Sequence, residues 1–295
     1  MIPIKENISL REKSSFRIGG VARYYVRVHR IAEVKDVCRW AREHEQPLFI
    51  LGRGSNILIS DAGWPGLVLD MSGFTEITWH ETIAVCQSGA LLHTLVKQSV
   101  DRGFGGMEEL AGIPGSVGGA LVMNAGAFTQ TVSECLVSVK GVSVEGTGFN
   151  LGRSDINFGY RTSSFKQEST ILLEAEFLFV KQNKEQLLSA FTETLKKRNR
   201  KQPLDTPNCG SVFKRPAGYY AGALIEECGL KGYTIGGAMV APKHANFILN
   251  SGSASAEDVR KLIVHIQRQV YNAYGILLEP EVVFVGDFYT PLFEP

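Results

Sequence analysis

No C-x-x-C pair, no H-E-x-x-H run and no surplus of charge of either sign occurs in this chain. Its five cysteines, Cys38, Cys86, Cys135, Cys209 and Cys228, stand far apart, which excludes a disulfide framework or a clustered zinc site and leaves thiols of a reducing compartment. The six histidines show no ligand spacing, so no metal is expected. With 31 basic and 30 acidic residues the formal net charge is +1, and no whole-molecule field favours nucleic acid or an anionic membrane as a partner. An apolar leader is missing as well: "MIPIKENISLREKSSF" scatters charge where a signal peptide needs an apolar stretch, and cytoplasmic residence is the expectation. Residues 110–133 carry no charge and set Gly115 and Gly119 at the GxxxG spacing, yet Pro114, Ser116, Asn124 and Gln130 make a poor membrane helix, and no second candidate exists. No membrane insertion is expected.

What is present is ordinary globular chemistry. The chain has 295 residues, 44% hydrophobic and 21% charged, more than one core usually serves, so two or three domains are expected. Apolar alternation and β-branched runs predict strands over 22–28, 47–52, 56–60, 66–71, 82–89, 135–144 and 171–180. Among them only 31–43 and 90–103 have a helical period, which reads as α+β and not as a βαβ alternation. Past residue 181 a charged helix ends before Pro203 and marks a boundary, giving domains at 1–182 and 183–286 and a tail at 287–295. The second domain shows a short helix at "AGALIEECG", strands at "GGAMVA" and "NFILN", and a final strand over 277–286. Between them runs a long helix that Ser255 and Asp258 open as a capping box, with Val259, Leu262, Ile266 and Val270 on its buried face.

Two glycine-rich turns stand out, "LGRGSN" (51–56) and "AGIPGSVGGA" (111–120). Glycine admits positive φ and lets backbone N–H groups crowd round an anion such as a pyrophosphate. Neither turn has P-loop spacing or the full dinucleotide fingerprint, and each taken alone reads equally well as a tight turn between strands. Together they favour a nucleotide cofactor.

Seven stretches in order, "SSFRIGG", "LGRGSNILISDAGWPGLVL", "AGIPGSVGGALVMNAGAF", "GYRTSSF", "CGSVFKRP", "GGAMVAPKHANFILN" and "LEPEVVFVG", resemble the UDP-N-acetylenolpyruvoylglucosamine reductase family over residues 3–286. The resemblance implies an FAD-binding domain of the vanillyl-alcohol-oxidase (PCMH) type plus a smaller α+β substrate domain, acting in peptidoglycan precursor synthesis. It implies that NADPH is the co-substrate and a UDP-sugar the substrate. The cofactor-binding positions would be Gly52, Arg53, Gly54, Ser55, Asn56, Ile113, Pro114, Gly115, Ser116, Gly118, Gly119, Asn124, Ala125 and Gly126. These loops hold no histidine, so the FAD is expected to be non-covalent. Arg53 stands where relatives often have glycine, Arg215 where some have asparagine, and the lack of an extra tyrosine-bearing segment resembles the shorter subtype.

By the same resemblance Arg161 is the catalytic arginine, Ser211 the proton donor and Glu281 a carboxylate that orients the enolpyruvyl group. The residue types suit the chemistry: a guanidinium stays charged and binds carboxylate in a fork, and a hydroxyl protonates only a strongly basic carbon over a short path. On residues alone Arg161 reads as a structural arginine and Ser211 as a turn serine. Glu279 and Glu281 are two apart, so a strand would point both to one face and the pattern leaves open which one works; the resemblance points to the second. Tyr160, Lys214, Arg215 and His244 are candidate substrate contacts, each with a surface or core alternative. An oxidase on the same scaffold, and a sugar-nucleotide-binding protein without turnover, are the competing classes.

Overall fold

The computed structural model describes residues 3–166 and 170–295. The chain gathers into two compact units interleaved in sequence: the first holds residues up to Lys5, Tyr25–Arg53 and Gly66–Arg198, the second Glu6–Tyr24, Gly54–Pro65 and Asn199–Pro295.

The first unit is built on a five-stranded antiparallel sheet in the order Gly148–Gly152, Leu136–Ser143, Thr170–Leu178, Ile83–Gln87, Ile77–His80. Register sets Leu151, Val139, Ala175, Cys86 and Ile77 in one row across it. Val139, Ala175 and Cys86 in that row are buried, the period-two alternation by which a sheet fills a core on one face. Separately, Leu48–Leu51 pairs in parallel with Leu67–Asp70. Four helices complete the unit: α1 (Ile31–Glu43), α2 (Leu92–Asp101), α3 (Val117–Val122) and α4 (Lys184–Lys201), the last reaching past Arg198 into the second unit's residues. Val34, Val37, Cys38 and Ala41 form the buried stripe of α1. Helix α3 corrects the reading of 111–120 as turn throughout, and its Val117, Gly118, Ala120 and Leu121 are buried.

In the second unit α5 (Ala221–Glu227) and α6 (Ala256–Tyr274) pack around a core that includes Leu224, Ile225, Val259, Leu262, Ile263 and Ile266. The capping box is as expected: Ser255 Oγ accepts from Asp258 N, and the Asp258 carboxylate accepts from Ser255 N. Asp61 adds to it, accepting from Ala256 N and Glu257 N at 2.8 and 3.0 Å. The final strand is shorter than 277–286. Only Val283–Val285 is strand, paired in parallel with Ile57–Ile59, because upstream the chain pairs elsewhere, Pro280 making a single antiparallel bridge to Phe213. Residues 287–295 are not a loose tail. Phe288 and Leu292 pack on the core, Arg260 Nε donates to Thr290 O at 2.8 Å, and the Arg260 guanidinium lies over the rings of Phe284 and Phe288.

Candidate active site

Within the first unit the two glycine turns meet. A Cβ placed on Gly52 would stand 2.6 Å from Ser116 Oγ, closer than real contacts come. Ser116 is buried and caps α3, accepting from Gly119 N at 3.3 Å. Gly118 N donates to Ser88 O at 2.7 Å, and a Cβ there would meet Ser88 Cβ at 2.9 Å, so bulk is excluded at this second approach too. Gly115 sits at φ 136°, a backbone that glycine tolerates. Ile113 packs against the core while Pro114 is exposed.

Among the polar atoms of this unit that are shielded from solvent with no hydrogen-bond partner are Arg53 Nε, Ser88 Oγ and Asn124 Oδ1. Buried polar groups are normally satisfied, so these orphans together with the side-chain-free glycines fit a polar, phosphate-bearing cofactor. Arg53, where a glycine was the more familiar residue, offers it a guanidinium donor.

Arg161 is positioned by strain. Phe158–Gly159 and Thr162–Ser163 pair as a hairpin, leaving Tyr160 and Arg161 as its two loop residues. Arg161 has φ 56°, a left-handed conformation that costs a non-glycine residue free energy and recurs where function requires it. Two bonds hold the hairpin: Asn124 Nδ2 donates to Gly159 O at 3.0 Å, and Ser163 Oγ donates to Val122 O at 2.9 Å. Asn124, itself at φ 43°, thus ties the hairpin to the Ala125–Gly126 turn. A Cβ on Gly126 would lie 3.6 Å from Arg161 Nη1, which places the guanidinium against that turn. Tyr160 is 56% exposed beneath the guanidinium, 5.1 Å from it, and so is not a core tyrosine.

In the second unit the segment 211–214 lies between two others. Val212 N donates to Asn246 O on one side, and Glu281 N donates to Val212 O at 2.7 Å on the other, with Lys214 N bonded to Glu279 O. Ser211 follows Gly210, at φ 83°, whose N–H is held by Asn208 Oδ1 at 2.9 Å. Asn246, which sequence reasoning missed, brackets Phe213 with its side chain: Phe213 N donates to Oδ1 at 3.0 Å, and Nδ2 donates to Phe213 O at 2.9 Å. Its only trace in the sequence is a buried asparagine between apolar residues in "HANFILN".

The first-turn residues Gly54 and Asn56 act here. A Cβ on Gly54 would come 2.2 Å from Lys13 O, and Asn56 Nδ2 donates to Glu281 O at 3.2 Å. Asn56 therefore fixes the backbone of the candidate carboxylate, while Ser55 beside it is half-buried. The two glutamates separate: Glu279 is largely exposed and ion-paired with Lys214, whereas Glu281 is half-buried. Near Glu281 lies Cys209, whose thiol is pushed up to about 12, by burial first and then by the Glu281 carboxylate.

Arg215 donates from Nε to Tyr219 O at 3.3 Å and covers the Tyr220 ring at 4.0 Å. His244 accepts at Nδ1 from Asn246 N at 3.3 Å. Burial, reinforced by Lys231 and Lys201, holds its imidazole below the usual pKa, so it enters as a neutral hydrogen-bonding ring. Among the described residues no group of three or more His, Cys, Asp or Glu could hold a metal ion, and no helix is long and apolar enough to cross a membrane.

The glycine cradle and its orphaned polar atoms belong to a flavoprotein, and residues 22–152 match the FAD binding domain family. Residues 202–285 match the C-terminal domain of UDP-N-acetylenolpyruvoylglucosamine reductase. The chain is 40% identical over 287 residues to the enzyme of that name from Caldicellulosiruptor saccharolyticus, covering 97% of this chain and 93% of the relative. It is 42% identical to that from Acaryochloris marina, covering 97% and 94%. The crystal structure of UDP-N-acetylenolpyruvylglucosamine reductase (MurB) from Thermus caldophilus superposes with a TM-score of 0.83 at 31% identity, over 97% of this chain and 100% of that one. The chain belongs to the UDP-N-acetylenolpyruvoylglucosamine reductase family.

Proposed function

We propose that Arg161, Ser211 and Glu281 carry the chemistry of this flavoprotein oxidoreductase. Its reaction is the NADPH-dependent reduction of the enolpyruvyl group of UDP-N-acetylglucosamine-enolpyruvate to UDP-N-acetylmuramate, a step of peptidoglycan precursor synthesis. Bound FAD supplies the hydride, which no side chain can carry, and NADPH replenishes it.

The chain's own residues do the rest. The Arg161 guanidinium, always charged and forked, binds the enolpyruvyl carboxylate and draws negative charge toward it as the adjacent carbon becomes basic. Ser211 delivers a proton to that carbon. Its hydroxyl is a weak acid that needs a short, fixed path, and the Asn208 and Asn246 bonds hold the backbone on either side of it. Glu281, its backbone anchored through Asn56 and Val212, orients the enolpyruvyl group. Gly52, Arg53, Ser116, Gly118 and Asn124 would hold the cofactor. Lys214, Arg215, His244 and Tyr160 serve the sugar nucleotide in this reading. We assign residues 1–182 to the flavin and 183–286 to the sugar nucleotide, a division that the matched ranges 22–152 and 202–285 support, and we place the enzyme in the cytoplasm.

The observation that supports the reading best is the meeting of the two glycine turns at Gly52 and Ser116, beside buried polar atoms that the protein leaves unmatched. The test is anaerobic absorbance. The purified protein is expected to be yellow, to bleach with NADPH, and to recolour when the enolpyruvyl sugar nucleotide is added. Rapid recolouring by oxygen with none by the sugar nucleotide would mark an oxidase, and a protein that never bleaches would mark a binding module.

A further inference from the structure

The charged helix α4 sets a cation on the same face as its buried Leu187, Phe191 and Thr194. Arg198 is half-buried, and its side chain runs across the glycine-rich turn: a Cβ on Gly112 would stand 3.1 Å from Arg198 Cδ and 3.8 Å from its Nε. That Nε is shielded from solvent and has no hydrogen-bond partner, and among the described residues no carboxylate pairs with the guanidinium. The charge that Arg198 does feel is another cation. Burial first, and then Arg161, holds its guanidinium below its ordinary pKa.

A second cation beside a partly desolvated guanidinium is unfavourable in the protein alone, since no hydrogen bond offsets the burial of Arg198 Nε. Arginine forks are brought together in this way where planar anions are recognised. Both guanidinia also rest on one stretch of chain, Arg198 over Gly112 and Arg161 against Gly126, so a single run positions both. A stem merely packing on a glycine would account for the 3.1 Å contact, but not for a shielded, unmatched Nε beside a second cation.

We propose that Arg198 is the second guanidinium of the anion site that Arg161 serves, the two holding one organic anion of delocalised charge. The inference rests on the flavin reductase reading above, which offers two sources of such an anion: the enolpyruvyl carboxylate and the ring system of reduced flavin.

The test uses holoenzyme carrying R198M, which keeps an unbranched stem over Gly112 and removes the charge. Two quantities are read: Kd of the oxidised enzyme for the enolpyruvyl sugar nucleotide, from the perturbed flavin absorbance, and the flavin midpoint potential. If the carboxylate is the anion, Kd rises at least tenfold and the potential holds. If the reduced ring is the anion, the potential falls by about 30 mV or more, tenfold in a two-electron equilibrium, and Kd holds. Either result supports the proposal. R198M matching the parent in both quantities overturns it.

Where R198M does not retain FAD, R198K decides. Lysine keeps stem and charge, and raising the pH through about 10.4 removes that charge reversibly. A step in Kd or in potential over that range, absent from the parent, supports the proposal, and its absence overturns it. A parent protein that neither bleaches nor recolours refutes the functional reading instead, and the potential measurement still decides the fate of Arg198.

Discussion

Gly52→Ala should damage the protein out of proportion to its size. The new Cβ would lie 2.6 Å from Ser116 Oγ, and Ser116 is only 2% exposed, so its hydroxyl has nowhere to retreat. Gly52 has an ordinary φ, which makes the cost steric and not conformational. Overpacking a rigid site costs about 1–3 kcal/mol. Pushing the hydroxyl away from Gly119 N also removes the cap of α3, about 1 kcal/mol more. A total of about 2–4 kcal/mol corresponds to a fall in Tm of roughly 4–16 °C for a unit of this size.

Because the distortion sits in the proposed cradle, FAD affinity should drop at least about tenfold, which is ~1.4 kcal/mol. Melting of the apoprotein and a flavin-fluorescence titration read the two effects separately. Gly148→Ala is the control, since its nearest neighbouring atom is 4.0 Å away and its backbone is unstrained. If Gly52→Ala melts and binds FAD as the parent and the control do, the two turns do not form one site, and the cradle argument fails.

The remaining expectations are brief. Ser211→Ala should leave bleaching by NADPH intact and slow recolouring by the sugar nucleotide by ~10² to 10⁴; equal slowing of both steps in stopped flow rules out a proton donor. Glu281→Gln should slow recolouring at least about tenfold, a barrier rise of ~1.4 kcal/mol, whereas Glu279→Gln, which loses only an exposed partner of Lys214, should change it little; the reverse order in the same traces would reassign the carboxylate. Cys86 and Cys209, both pushed up to about 12 by burial, should resist a thiol reagent at pH 8 until denaturant is added, since their thiolate fraction is then about 10⁻⁴; fast labelling of the native protein would contradict their burial. Deleting residues 287–295 removes the acceptor at Thr290 O from a buried arginine whose Nη1 is already unmatched, at a cost of about 1–3 kcal/mol for the stranded group; unchanged melting would show that the segment contributes nothing.

Much of the fold was legible because it depends on local pattern. Helix α6 announced itself through Ser255, Asp258 and the Val259–Leu262–Ile266–Val270 stripe, and the period-two strands around Val139, Ala175 and Cys86 through alternation. Helix α3 was hidden because Gly118 and Gly119 weaken helix propensity, and burial of its neighbours overrides that deficit. The candidate motif residues could be named by resemblance, but the contacts around them could not. Asn246 owes its importance to a backbone 33 positions away, and the left-handed conformation of Arg161 is a property of the hairpin. Arg198 was not singled out in the sequence, since its closeness to Gly112 is a tertiary contact. The choice between Glu279 and Glu281 was open in sequence because both share a parity. Folding places the two differently, giving Glu279 to Lys214 and the Glu281 backbone to Asn56, and the paired Gln variants test which one works.

That last bond spans 225 positions of chain, and it lies inside the second unit, whose members Glu6–Tyr24 and Gly54–Pro65 leave the ribosome long before Asn199–Pro295 exists. Until the carboxyl-terminal stretch is made, Ile57–Ile59 has no strand to pair with and Asp61 no helix to cap. The early segments must therefore wait as nascent chain with apolar surface such as Phe16, Ile18 and Leu58 uncovered, which is a demand on cellular chaperones. For the same reason a gene fragment starting at Asn199 encodes only part of a folding unit, and a soluble product from it would require the two early segments to be supplied in trans.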